Sequence, residues 1–530
     1  MTAEKDLPPI QKEWRPSYNP WLIAISVMLA TFMEVLDTSI ANVALPHIAG
    51  NLSATTDEAT WVLTSYLVSN AIVLPATGWF GIRFGRKRFL LACIAFFSIA
   101  SATCGAAPSL GALIVARIIQ GAAGGALQPI SQSVLMESFP PAKRGVAMAA
   151  FSMGVVVAPI IGPTLGGWLT DNYTWRWIFY INVPVGILAF YLCQMFLEDP
   201  PYLIAAKRSS ARIDYVGFSF MAIWLATLQI ILDKGQRDDW FAAPWIRWTA
   251  AISFISMVVF IIWELFEKEP IVELRALKDR NFAVGTALVT LVGVVLYSTI
   301  TLQPLMVQDL MGYTAFWSGV ALTPRGIGAI IAVFFVGRVI GRLDSRKLIA
   351  CGFLGLAYSS YMLSKLNLQI AIWNIFWPNL IMGLAMGLIF VPLATLTMAG
   401  LPNVQMGNAT GIFNLMRNIG GSFGISIVTT MLARGAQRHQ TYVAAHFNPY
   451  NPVFQRYFAQ LKSLFTFHGI SYHAGQKALL SLYNIAVQQS TLLAYMGDFR
   501  FLAFCSLLCV PAALALRKLT FRKGPPMGAH

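Results

Sequence analysis

Residues 21–44 read WLIAISVMLATFMEVLDTSIANVA, an apolar run long enough to cross a bilayer as a helix, yet it contains Glu34 and Asp37. The two acids are three residues apart, so both side chains leave the same face of the helix. A carboxylate in hydrocarbon costs roughly 2.5–3.5 kcal/mol, so this face must point into a bundle interior or a wet cavity. We therefore predict that the acid pair carries protons.

The composition indicates a polytopic, all-α membrane protein. Hydrophobic residues make up 57% of the 530 positions and charged residues only 12%, about half the usual soluble share of roughly 25%. The polar tail at 1–20 predicts a retained first span and no cleaved leader. Fourteen apolar stretches predict membrane-spanning helices near 21–44, 61–80, 89–107, 111–135, 146–169, 178–197, 214–232, 246–265, 282–304, 316–337, 347–364, 372–398, 411–432 and 494–516.

The net charge of +15 reflects topology and not nucleic-acid binding. If the amino terminus is cytoplasmic, most of the 38 Lys and Arg residues fall on cytoplasmic segments, so the positive-inside rule predicts that both termini are cytoplasmic. All six cysteines lie in or beside the spans, which argues against disulfides and zinc. No GxxxxGK[ST] phosphate loop occurs. We expect a transporter driven by an ion gradient, without cofactor, metal or enzymatic activity.

A weak internal repeat divides the chain. The segment RIIQGAAGGALQP at 117–129 has a counterpart in NLIMGLAMGLIFVP at 379–392, and the loop at 78–89 has one at 337–348. Such repeats are typical of transporters. They predict four regions, which are a cytoplasmic tail at 1–20, a six-helix half at 21–200, an inserted helix pair with its flanking loops at 201–280, and a second six-helix half at 281–530.

Five motifs stand in order along the chain: LDTSIANVALP at 36–46, GWFGIRFGRKR at 78–88, ARIIQGAAGG at 116–125, APIIGPTLGGWL at 158–169 and WRWIFYINVPVG at 175–186. With these motifs the chain resembles the fourteen-helix drug:proton antiporters of the major facilitator superfamily, and is most similar to EmrB-type permeases. The resemblance implies proton-coupled efflux of small hydrophobic or amphipathic compounds across the bacterial cytoplasmic (inner) membrane. In a Gram-negative host it also implies a periplasmic membrane-fusion adaptor and an outer-membrane channel.

Two other functions stay open at this point. One is proton-coupled transport of a specific metabolite, and the other is a membrane sensor or scaffold that transports nothing. The span-five motif and the lack of a substrate-specific polar cluster favour export over import. The buried acid pair argues against a scaffold.

The motifs predict gating and packing positions. In span five, small residues and prolines permit close helix contact and a bend, and the family treats this motif as the exporter signature. A packing stripe with no part in transport direction is an equal alternative. The family's usual acid in the loop after span two is replaced by Ile82, which puts an ion-pair latch there in doubt and leaves Asp344 to supply one. The predicted positions are Gly78, Gly85, Arg86, Gly121, Gly125, Gly162, Pro163, Gly166 and Gly167.

Arg117 in span four is the predicted partner of Asp37. A rise of about 1.5 Å per residue places Asp37 roughly 24 Å into span one, and Arg117 about 9 Å below the opposite entry, so the two share a depth. A movable Arg117 would switch Asp37 between holding and releasing a proton, whereas a fixed one would form a static salt bridge. Glu34 lies deeper without an obvious partner, which suits recognition of cationic compounds.

The second half has buried bases of its own. Arg325 in span ten and Arg417 in span thirteen can each bind an anionic group or stabilise the bundle. We favour stabilisation for Arg325, and both alternatives stay open for Arg417. The predicted substrate-cavity residues are Glu34, Gln120, Asn414 and Arg417.

An unusually long outer segment at 433–493 separates spans thirteen and fourteen. Its apolar residues recur at helical spacing, which predicts amphipathic helices on the outer surface. We predict that one apolar face docks the adaptor or closes over the exit, with an interfacial helix lying on the bilayer as the alternative. The docking candidates are Phe454, Phe458, Leu461 and Phe465.

Overall fold

Long apolar runs fold as helices because hydrocarbon offers their backbone N–H and C=O groups no partner outside the helix. In the computed structural model each predicted span is a helix, and we number them in chain order. They are α1 Pro20–Asn51, α2 Trp61–Phe84, α3 Arg86–Gly105, α4 Leu110–Ser138, α5 Arg144–Asn172, α6 Asn182–Phe196, α7 Tyr215–Lys234, α8 Pro244–Phe266, α9 Arg280–Leu305, α10 Ala315–Val339, α11 Ser345–Leu363, α12 Ile372–Met398, α13 Met406–Ala444 and α14 Ala474–Leu514.

The structure describes residues 16–140, 143–200, 214–267, 270–339, 343–402, 405–448, 450–467 and 473–517. Residues 1–15 of the predicted cytoplasmic tail and 201–213 of the predicted inserted region lie outside this part of the chain. Within it, eleven helices are long and apolar enough to cross a membrane. The other three, α2, α11 and α13, pack within the same bundle, so the predicted count of fourteen fits.

The helix pairing occurs twice. In the first half α1 packs on α5, α2 on α4, and α3 on α4 and α6. In the second half α9 packs on α13, α10 on α12, and α11 on α12 and α14, which is the same pattern eight helices later. The two halves meet where α2 and α4 contact α13 and where α5 contacts α10 and α12. The boundaries at 200 and 281 stay predictions.

The inserted pair, α7 and α8, packs against the seam between the halves. Its helix α7 contacts both α2 and α13. At one end Asp233 accepts a hydrogen bond of 2.5 Å from Thr64 on α2. Gln229 accepts one of 2.8 Å from Ser422 on α13. The pair is therefore bonded to both halves and is not an appendage.

The outer segment at 433–493 is predicted to form amphipathic helices. In the described part of this segment α13 continues to Ala444, a separate helix runs over Pro452–Phe467 with no fully buried residue, and α14 begins at Ala474. Helices α13 and α14 extend beyond their predicted apolar spans because no proline or glycine pair ends them there.

Candidate functional site

Asp37 is the centre of a buried polar network. Its side chain is 1% exposed. Arg117 Nη1 donates to its Oδ2 at 2.6 Å, while Gln120 Nε2 and Asn182 Nδ2 donate to its Oδ1 at 2.9 and 2.6 Å. Helices α1, α4 and α6 thus converge on one carboxylate. The predicted pairing of Asp37 with Arg117 is present in the structure.

Arg117 is completely buried and is held from several sides. Its Nε donates to the carbonyl of Val62 at 3.1 Å, and its Nη1 also donates to Gln120 Oε1 at 2.9 Å. The guanidinium carbon lies 4.2 Å from the centre of the Tyr66 ring, a cation–π contact. Gln120 Oε1 is therefore an acceptor already in place beside Asp37.

Asn182 was missed by the sequence reasoning. Its side chain is 1% exposed and bridges Asp37 to Ser101 Oγ, to which its Nδ2 donates at 3.0 Å. Ser101 in turn donates to the carbonyl of Phe179 at 2.8 Å. The available signal was an amide inside the otherwise apolar motif WRWIFYINVPVG, because a buried amide needs polar partners.

Glu34 has a partner, contrary to the expectation from sequence. Asn70 Nδ2 on α2 donates to its Oε1 at 3.3 Å. Its Oε2 is buried and has no hydrogen-bond partner among the described residues. The side chain is 8% exposed. Glu34 is thus held by fewer hydrogen bonds than Asp37.

A small cavity lies where the two halves meet. Its volume is about 20 Å³, room for about one water molecule. It is lined by Gln132, Met148, Phe151, Ser152, Val155, Phe390, Ala394, Phe413, Asn414 and Arg417. Of the predicted cavity residues, Asn414 and Arg417 are here. Gln120 and Glu34 are not among the lining residues. Gln120 is completely buried in the Asp37 network.

Two hydrogen bonds join α4 to α13 at this cavity. Arg417 Nη2 donates to Gln128 Oε1 at 2.6 Å, and Asn414 Nδ2 donates to Gln132 Oε1 at 2.7 Å. Gln128 and Gln132 were missed because a lone glutamine in an apolar run does not reveal its partner. Arg417 Nε is buried and has no partner among the described residues, so the guanidinium retains an unused donor.

The glycines of α2, α4 and α5 mark close helix contacts. A Cβ added at Gly78 would lie 2.5 Å from the backbone nitrogen of Asn408, so α2 and α13 touch there. Gly121 and Gly125 bring α4 against the backbone of α2, and Gly162 and Gly166 bring α5 against α1 around Ile40. The predicted close packing is present. Pro163 and Gly167 lie half-buried on the same α5 segment.

Acids from elsewhere in the chain serve the loop after α2, where Ile82 replaces the family's acid. Arg86 forms a buried ion pair with Glu137 at the end of α4. Asp199 accepts a hydrogen bond of 2.9 Å from the backbone of Lys87 and lies beside Gly85, whose φ of +88° favours glycine. Asp344 pairs with Arg346 two residues on. The Arg86–Glu137 pair joins α3 to α4, and both helices belong to the first half.

Arg325 is buried between helices of the second half and does not reach the surface as snorkelling would require. It is 5% exposed, and its Nη2 donates to Gln303 and to Asn379, the latter at 3.1 Å. These partners tie α10 to α9 and α12. The sequence reasoning also overlooked three buried acids, which are Glu137, Glu264 and Asp498.

The docking candidates lie on the helix Pro452–Phe467. Phe454, Phe458, Leu461 and Phe465 are half-buried, and this helix packs on α14. The Phe458 ring reaches 3.9 Å from a Cβ built at Gly475. The predicted apolar face therefore contacts the chain itself, while Val453 and Tyr457 are 60% and 56% exposed.

Comparison with known proteins places these features in a family. A model of the Major Facilitator Superfamily matches residues 27–425. The fatty acid resistance protein FarB of Neisseria gonorrhoeae is 42% identical over 440 residues, 83% of this chain and 86% of that protein. The multidrug export protein EmrB of Escherichia coli K12 is 40% identical over 444 residues, 84% of this chain and 86% of that protein.

Solved structures agree on the fold. The proton:xylose symporter XylE is 14% identical, with a TM-score of 0.59 over 93% of this chain and 96% of its own. The human organic anion transporter MFSD10 is 12% identical, with a TM-score of 0.57 over 92% of this chain and 100% of its own. Since the family model spans residues 27–425 and the relatives cover more than four fifths of the sequence, this multi-pass membrane protein belongs to the major facilitator superfamily.

Proposed function

We propose that this chain exports hydrophobic or amphipathic compounds across the cytoplasmic membrane of a bacterium in exchange for protons, with Asp37 as the proton carrier. The observation that carries the proposal is the buried Asp37 held by one cation and two amides. A carboxylate so far from water is costly unless it is paired or protonated, so its charge state is tied to the position of Arg117. The names of FarB and EmrB support export of toxic compounds.

In the proposed mechanism a proton and the Arg117 guanidinium compete for the Asp37 carboxylate. When Asp37 takes up a proton it loses its charge, and the attraction that holds Arg117 Nη1 at 2.6 Å is lost. Gln120 Oε1 and the Val62 carbonyl already accept from this guanidinium, so Arg117 keeps acceptors while it leaves Asp37. Partners already in place lower the cost of the switch relative to a buried charge with none.

Helix α4 connects the proton site to the cavity. Arg117 lies near its start, while Gln128 and Gln132 lie three to four turns further along and bond to α13. Between Arg117 and Gln128 the helix contains no proline and moves as one element, while Pro129 permits a bend beyond it. A shift of α4 when Arg117 leaves Asp37 therefore pulls on the bonds that join α4 to α13 at the cavity.

The cavity lining supports an apolar or amphipathic substrate class. Phenylalanine, methionine, valine and alanine side chains form its apolar wall, and its polar groups are Gln132, Ser152, Asn414 and Arg417. Ligand sites for drug-sized compounds combine such apolar walls with a few polar groups, at roughly 300–1,000 Å³. The volume of about 20 Å³ belongs to a closed state, so substrate entry requires the α4–α13 bonds to open.

The proton gradient supplies sufficient driving force. One proton moving down about 100 mV yields about 2.3 kcal/mol, enough for roughly a fifty-fold gradient of a neutral compound.

The basic residues on alternate loops support cytoplasmic termini. In this proposal the helix Pro452–Phe467 lies on the side of the inner membrane opposite the basic loops.

In a Gram-negative host the outer ends of α13 and α14, with the helix Pro452–Phe467, are the proposed contact for a membrane-fusion adaptor that leads to an outer-membrane channel. Phe458 and its neighbours are half-buried against α14, so the exposed Val453 and Tyr457 are the sharper probes. Val453→Lys and Tyr457→Lys should abolish adaptor crosslinking and whole-cell resistance while export in vesicles persists. Retained crosslinking in both variants would remove the adaptor from the proposal.

The function is tested by a drug-susceptibility panel in an efflux-deficient bacterium, followed by transport in vesicles with an imposed pH gradient. Export predicts resistance in cells, and in vesicles substrate movement opposite to the proton flow. A metabolite symporter would instead move its substrate with the proton and give no resistance. A sensor or scaffold would move nothing in either assay.

A further inference from the structure

Two acids meet at one end of the inserted helix pair, away from the Asp37 network. Asp214 directly precedes α7, where its Oδ1 accepts hydrogen bonds from the backbone of Gly217 at 2.8 Å and from Trp263 Nε1 at 3.0 Å. Glu264 lies in the last turn of α8 and is 1% exposed. Both donors thus bond to Asp214 Oδ1, and Oδ2 has no hydrogen-bond partner among the described residues.

The unbonded oxygens of the two acids converge. A Cβ placed on Gly217 would lie 2.2 Å from Asp214 Oδ2 and 3.0 Å from Glu264 Oε1, so both oxygens flank the same point on α7. Asp214 Oδ2 and both oxygens of Glu264 are buried, and no side chain in the described part of the chain donates a hydrogen bond to them, although the backbone N–H groups of Ile271 and Val272 lie beside Glu264. Three carboxylate oxygens therefore share a buried site without a side-chain donor.

Among the described residues, no basic side chain pairs with either acid. The segment that follows α8 and packs on it carries Glu273, Arg275 and Lys278. Arg275 Nη2 donates to the carbonyls of Leu265 and Glu267 at 3.1 and 3.3 Å. Glu273 accepts from Gln405 at 3.2 Å, and Lys278 is exposed. On α2, which packs against α7, the basic residue of the last turn is Arg83. The charged groups acting most strongly on Glu264 are both acids, Asp214 and Glu267.

Two carboxylates this close in a buried site cannot both be ionised, because each would bear the repulsion of the other without solvent to screen it. A single proton resolves this, since it neutralises one acid and supplies the O–H that the other lacks. We infer that Asp214 and Glu264 bind one proton between them, as a second proton site separate from Asp37. Glu264 donates its O–H to Asp214 Oδ2.

This site is connected to the place where the two halves meet. The segment that follows α8 bonds to α13, because the backbone nitrogen of Glu273 donates to Asn408 Oδ1 at 3.1 Å and Asn408 Nδ2 donates to the Glu273 carbonyl at 3.3 Å. Asn408 is the residue whose backbone touches Gly78 on α2. The proton that holds α7 to α8 therefore supports the closed contact of α2 with α13.

Infrared difference spectroscopy on the purified full chain in lipid vesicles tests the inference directly. On raising the pH, wild type should lose a carbonyl band of a protonated carboxylic acid that is missing from both Glu264→Gln and Asp214→Asn. Glu267→Gln, an acid three residues beyond Glu264, should keep the band and is the matched control. Two independent variants guard against one of them failing to fold.

Retention of that band in both variants would overturn the shared proton. A divalent cation is the competing occupant, since carboxylate oxygens also bind Mg²⁺ and Ca²⁺. It would appear as a chelator-dependent drop in the thermal midpoint of wild type that Glu264→Gln lacks, and this result would replace the proton by a metal. The readout does not use export, so it is distinguishable from failure of the proposed function.

Discussion

Asp37→Asn is the most direct test of proton coupling. The substitution keeps the shape of the side chain and removes its ability to exchange a proton. Asp37 now accepts three hydrogen bonds, one of them from a guanidinium. An amide in its place can accept at only one oxygen and turns an N–H toward a donor. Asn182 can relieve one conflict by rotating, because its Oδ1 has no partner among the described residues.

The expected losses differ in size between stability and transport. Arg117 would remain as a buried cation without its counter-charge, a change that typically costs about 3–5 kcal/mol. The thermal midpoint should therefore fall, while folded protein still binds substrate. Transport should lose its whole driving force, so the accumulation ratio should fall from roughly fifty-fold at 100 mV to one.

The assay measures substrate accumulation in vesicles with an imposed pH gradient, alongside substrate binding by the same preparation. Asp171→Asn, the same substitution at an exposed acid at the end of α5, is the matched control and should accumulate substrate normally. If Asp37→Asn still accumulated substrate in response to the pH gradient, the reasoning that makes Asp37 the proton carrier would be refuted.

Three further substitutions probe the switch, the substrate and the closed contact. Arg117→Ala should stall export across the pH range, because Asp37 without a counter-charge keeps its proton. Arg117→Lys should retain part of the export activity, because it keeps the charge. An unchanged pH profile of substrate binding in Arg117→Ala would leave only a static salt bridge. Glu34→Gln should reduce export of cationic compounds more than of neutral ones, and equal losses in a paired transport assay would remove its role in charge recognition. Gly78→Ala should impair closure of α2 on α13 at a cost of about 1–3 kcal/mol, because its Cβ would lie 2.5 Å from Asn408 N. Gly111→Ala, with nothing within 4 Å, should be neutral, and equal transport rates in these two variants would contradict the proposed contact.

The helical spans could be predicted from the sequence because each depends on a local property. An apolar run of bilayer length forms a helix wherever it lies, since its backbone groups have no other partner. The Asp37–Arg117 pair could be predicted for a similar reason, because a helix converts sequence position into depth at a fixed rise. The Gly162 and Gly166 stripe was predictable as a contact surface, although not as a contact with Ile40.

The partners across the bundle could not be predicted, because they depend on which helix faces join in three dimensions. Asn182 reaches Asp37 only because α6 packs beside α1, and Gln128 reaches Arg417 only because α4 meets α13. The convergence of Asp214 and Glu264 likewise requires the two ends of the inserted pair to lie side by side. Sequence alone therefore determined which polar residues lie within the apolar spans, since that depends only on their position in the chain. Only the tertiary structure decided their partners, because a hydrogen bond requires atoms distant in the chain to come within about 3 Å.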